Sequence, residues 1–75
     1  MKRCVVNMIW CDESKTWIAD SDDVPGLALG SESYDKLVGR VRSIAPELLE
    51  ENTGYTGAFE LLFISERVEV MAAVS

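Results

Sequence analysis

The sequence predicts a small α+β domain of element order β-β-β-α-β, a mostly antiparallel sheet with one kinked helix on one face. Three observations carry this. Two β-rich runs joined by a short polar connector open the chain, and a Pro-Gly turn leads to a third. A stripe of apolar residues at helical spacing then runs from Tyr34 to Leu49. A last β-rich run follows a Gly-containing stop. Seventy-five residues leave room for a single domain, residues 1–75.

The first strand is expected over residues 4–11, which are mostly apolar at both odd and even positions. Asp12-Glu13-Ser14-Lys15 has the length and polarity of a hairpin connector, and residues 16–20 return as the second strand. Trp10 and Trp17 flank that turn and are placed to pack across it. Ser21-Asp22-Asp23-Val24-Pro25-Gly26 is turn chemistry: Pro fixes φ and Gly permits φ above zero. Leu27-Ala28-Leu29 reads as a short third strand ended by Gly30.

Ser33 is the preferred N-cap of the helix, with Asp35 near its positive end. Tyr34, Leu37, Val38, Val41, Ile44, Ala45, Leu48 and Leu49 form one continuous face. Pro46 lacks an N–H and crowds the carbonyl of Arg42, so a kink or two short helices sharing that face are expected. Asn52-Thr53-Gly54 stops the helix, and residues 58–64 form the last strand. Residues 67–72 read either as its continuation or as a return; apolar residues at 62, 64, 68 and 70 favour continuation, interrupted by Glu66.

Composition excludes several functions. Seven basic against 13 acidic residues give a net charge of −6, the wrong sign for a generic nucleic-acid binder. With no histidine, no imidazole can serve as base or ligand. No run is long and apolar enough for a membrane span, and no secretion signal is read at the start. Cys4 and Cys11 lie too far apart on one strand to bridge and match no zinc spacing. They read as reduced thiols of a cytoplasmic protein.

Asp12, Glu13, Asp20, Asp22 and Asp23 cluster at two turns. A metal site for phosphoryl chemistry needs such carboxylates, but solvated turns account for them, and no histidine beside them supplies an acid or base. The cysteines lack the cationic setting of a nucleophile. No catalytic residue, metal site or cofactor site is assigned. The sheet is the more informative feature. Val6, Met8 and Trp10 share one face of the first strand, and Val5 and Ile9 share the other. Phe59, Leu61 and Phe63 oppose Leu62 and Ile64 in the same way. One helix covers one face; the second is either covered by the C-terminal segment or, in the favoured reading, left too apolar for water as an interaction surface. The expected interface residues are Val5, Ile9, Asp20, Asp22 and Asp23, and a homo-oligomer, most simply a dimer, is expected.

Trp10 to Leu27 resembles the start of the HicB-like antitoxin superfamily, nearest its short one-domain branch known only as a domain of unknown function. The shared order is a Trp, an acidic turn, a second Trp, and Ser21-Asp22-Asp23-Val24-Pro25-Gly26-Leu27. Ser33-Tyr34-Asp35-Lys36-Leu37 and Ile44-Ala45-Pro46-Glu47-Leu48-Leu49 continue the likeness, which covers roughly residues 5–64. The resemblance implies a partial ribonuclease-H-like fold with the fourth strand beside the first, and no nuclease activity. It implies a protein that binds and blocks a small basic ribonuclease toxin of the HicA type, in a bacterial toxin–antitoxin system. An acidic chain suits that role. Many relatives carry a C-terminal DNA-binding unit for which this chain has no room, so direct operator binding is not expected. The alternative function is a stand-alone oligomeric binding module with another partner.

Overall fold

The computed structural model describes residues 1–73. Its elements are β1 (Lys2–Cys11), β2 (Thr16–Asp20), β3 (Ala28–Ser31), α1 (Tyr34–Thr53) and β4 (Phe59–Glu66). They form one four-stranded sheet in the order β3-β2-β1-β4. β1 pairs antiparallel with β2 and parallel with β4, and β2 pairs antiparallel with β3. The α+β reading holds, as does the place of the fourth strand beside the first.

The alternation of β1 decides the layers. Cys4, Val6 and Met8 are fully buried beneath α1, together with Ala19 of β2. Leu37, Val41, Ala45 and Leu49 project from the helix into the same core at four-residue steps. Phe59, Leu61 and Phe63 pack on its margin. Val24 and Leu27, from the loop between β2 and β3, complete it.

Each helix end is fixed as its residues dictate. Ser33 has extended backbone, and its hydroxyl accepts from the Lys36 N–H. Gly54 takes the left-handed conformation, and its N–H donates to the Glu50 carbonyl. α1 is a single element through Pro46, not two short helices. Its buried stripe passes the proline in phase, so packing on the sheet offsets the missing hydrogen bond.

The Pro-Gly segment is a turn in which the Leu27 N–H donates to the Val24 carbonyl at 3.1 Å. Gly26 has φ +90°, the value a type II turn requires after proline. Asn52 at the far end of α1 donates to the Pro25 carbonyl at 2.8 Å, tying this turn to the helix.

Several strand boundaries differ from the sequence reading: β1 starts at Lys2 and not at residue 4, β3 at Ala28 and not at Leu27, and β4 at Phe59 and not at residue 58. Gly30 does not end β3: it pairs with Ile18, and its outward carbonyl accepts from Arg40 of α1 at 2.9 Å. β4 runs two residues further, to Glu66, because it follows β1 in parallel as far as the Ile9–Glu66 pair. Residues 67–73 carry no regular strand pairing.

Candidate interaction surface

The face of the sheet away from α1 has no covering layer among the described residues. The register places Ile9 directly beside Ile18, and Val5 beside Leu62. Ile64 stands next to Asn7, joining the two pairs into one patch across three strands. Ile9, Ile18, Leu62 and Ile64 are 39%, 41%, 41% and 46% exposed, whereas the core residues on the other face are at or near zero. A depression of about 180 Å³ lies on this face, lined by Asn7, Ile9, Ile64 and Glu66.

Charge surrounds the patch. Asp20 and Glu66 stand at its two ends, and Asp20 accepts a hydrogen bond from the Asn7 amide. Glu60 is paired with Arg3 at 2.7 Å. Three carboxylates therefore face one guanidinium, so the rim is acidic. Contiguous aliphatic side chains with a charged rim are the pattern of a protein-docking surface.

Of the interface residues expected from sequence, Val5, Ile9 and Asp20 lie together on this face, with Val5 half-buried. Asp22 is exposed in the loop beyond β2. Asp23, also exposed, ties the loop to β1, since its carboxylate accepts the Val5 N–H at 2.7 Å. Ser21 works beside it, donating to the Val5 carbonyl and accepting from the N–H groups of Asp23 and Val24. β2 has already ended there, so these side chains replace the missing strand along β1. The Ser-Asp-Asp run thus closes the sheet edge. Ile18, Leu62, Ile64 and Glu66 belong to the patch but not to the expected set; their alternation was readable, whereas their adjacency needed the register.

A second cluster stands at the hairpin end. Trp10 and Trp17 are cross-strand partners with ring centroids 5.4 Å apart, and Tyr34 meets Trp17 edge-on at 4.9 Å. The Arg67 guanidinium lies 4.3 Å from the Trp10 ring centre. The Lys15 ammonium, at 2.8 Å, and then the Trp10 indole N–H hold the Asp12 carboxyl below its usual range. Both cysteines are free. Burial pushes the Cys4 thiol up, while hydrogen bonding with Ser14 draws the Cys11 thiol down. Among the described residues no three His, Cys, Asp or Glu side chains gather as a metal-binding group. No described helix is long and apolar enough to cross a membrane.

These features define a small α+β domain with an open-faced mixed sheet. Residues 3–74 match the family described as Domain of unknown function (DUF1902), and the chain belongs to that family. It is also similar to a solved structure, the hypothetical protein TTHA1013 from the extremely thermophilic bacterium Thermus thermophilus, at 35% identity and a TM-score of 0.80. That match covers 93% of this chain and 100% of the other. No curated protein matches the chain.

Proposed function

We propose that this domain is a non-enzymatic protein-binding module of the antitoxin type, which docks a small basic ribonuclease of the HicA kind on the open face of its sheet. The observation that carries the proposal is the aliphatic patch of Val5, Ile9, Ile18, Leu62 and Ile64 within an acidic rim. A basic partner meets this rim with opposite charge, which speeds encounter and screens out acidic competitors. The net charge of −6 acts in the same sense, and it opposes direct operator binding. The HicB-like order of motifs over residues 5–64 points to the same partner class. Free cysteines suit a cytoplasmic setting.

The test is a titration of a HicA-type ribonuclease cleaving RNA. Cleavage is expected to stop near one domain per toxin, with association slowing as salt rises. Ile18→Asp combined with Ile64→Asp is expected to abolish inhibition while leaving the circular dichroism of the domain unchanged. Uninhibited cleavage together with no complex at micromolar concentrations refutes the reading. A stand-alone homodimeric module is the second reading. It is favoured by the outward edge of β4, eight residues long and unpaired among the described residues.

A further inference from the structure

Residues 67–73 form an exposed apolar arm. Val68, Val70 and Met71 are 81%, 96% and 81% exposed. The arm also shapes the molecule. The Cα radius of gyration is 14.7 Å, against about 11 Å for a compact chain of this length. The long dimension is 57 Å. β1 accounts for about 33 Å of it at strand rise, and the part of the arm that runs past Cys11 adds about 16 Å more.

Alternation continues through the arm. Trp10 and Arg67 stand one step beyond the Ile9–Glu66 pair, and the guanidinium stacks on that indole, so Arg67 keeps to the helix side. Arg67 Nε bonds Glu69 Oε1 at 2.8 Å, the contact that extended backbone gives residues two apart. Glu69 is therefore on the helix side as well, and Val68 and Val70 fall on the side of the open face. The arm is a strand in pattern without a neighbour to pair with. It prolongs an edge whose own outward groups are also unpaired among the described residues.

We infer that a second copy of this chain supplies that neighbour: the arm and the adjoining end of β4 pair antiparallel with the same segment of another molecule, about a two-fold axis at Val68. This centre is chosen by charge. An axis at Glu66 sets Glu66 against its own copy, and an axis at Arg67 does the same with a guanidinium; like charges directly opposite destabilise a ladder. At Val68, each Arg67 faces the partner's Glu69, and the two Val68 side chains meet. Ile64 then stands beside the partner's Ala72. The axis is perpendicular to the sheet, so both open faces lie on one side and the four valines of the two arms extend them. A single copy has only part of this face. The inference rests on the homodimer reading and not on the toxin: dimer mass and toxin inhibition are separate measurements and can fail separately.

Light scattering at micromolar concentration should give twice the chain mass, and hydrogen exchange should show protected amides at Val68 and Val70. Arg67→Glu alone, and Glu69→Arg alone, should each weaken the dimer tenfold or more. The double variant Arg67→Glu/Glu69→Arg should recover it, since opposite charges again face each other. Val70→Pro lies outside the folded sheet, so it tests pairing without unfolding the body; it should leave a folded monomer by near-ultraviolet circular dichroism of the two tryptophans. A monomeric wild type, unprotected arm amides in a dimer, or a dimer indifferent to these variants and broken instead by Val5→Asp/Ile9→Asp each overturns the inference.

Discussion

Met8 and Ile9 are neighbours in β1 and meet different surroundings. Met8 is fully buried under α1, and Ile9 is 39% exposed on the open face. The same contrast separates Val6 from Val5 and, less sharply, Phe63 from Leu62. Strand alternation sends consecutive apolar residues to opposite sides, and the described residues supply a single helix to cover one of them. The covered side stabilises the monomer. The other side keeps apolar surface that folding did not need, which is the physical basis for reading it as a docking face.

The largest expected effect breaks or sharpens that contrast directly. Met8→Ala removes a fully buried side chain from the core and should cost about 2–5 kcal/mol. Ile9→Ala, one residue along, should cost less than about 1 kcal/mol in the isolated domain, because its side chain is already partly in water. Urea denaturation of the two variants measures both. Equal costs would mean that the open face is covered in solution, and the comparison of faces would fail.

A smaller effect tests how the covered side is sealed. Val24 and Leu27 reach the core only because the chain reverses at Pro25-Gly26. Gly26→Val puts a β-branched residue at φ +90°, and the new Cβ lies 3.3 Å from Asn52 Nδ2 and 3.4 Å from Leu48 Cδ2. Backbone strain of this kind costs about 1–3 kcal/mol, read as a fall in melting temperature. An unchanged melting temperature would show that the turn does not constrain the core.

Local signals made much of the fold legible. The apolar stripe of α1, the Ser33 cap and the Gly54 stop each depend on residues within a few positions, and each stands where the sequence put it. The two-sided alternation of β1 and β4 was legible for the same reason. Contacts between distant segments were not. Ile18 joins the patch because it pairs with Ile9, and Glu66 reaches the rim because β4 follows β1 to the Ile9–Glu66 pair. Asp23 reads in sequence as an aspartate of a turn; its role as an acceptor is set by a strand 18 positions earlier. Gly30 looked like a strand end because its hydrogen-bond partner, Arg40, lies on an element that had still to fold over it.

The smallest effect uses the two thiols, which report on the two environments separately. Cys4 is fully buried beside Val6 and Met8, and desolvation raises its pKa above the usual 9.0. The folded state then holds a proton that the unfolded state releases between the two values. Stability contributed by this group is fully present below pH 9 and falls as pH rises toward the folded pKa. One proton limits the slope to about 1.4 kcal/mol per pH unit. Cys11 is half-exposed at the hairpin, and its hydrogen bonds with Ser14 lower its pKa, so its contribution has the opposite sign and grows as pH rises. Replacing Cys4 with Ala should flatten the alkaline loss of stability, and replacing Cys11 with Ala should steepen it, both read from urea midpoints between pH 7 and pH 10. A thiol reagent at neutral pH should label Cys11 in the native protein and Cys4 only after denaturation. Rapid native labelling of Cys4 would show that the helix-covered side opens to solvent, and the division of the sheet into a sealed and an open face would no longer describe the molecule.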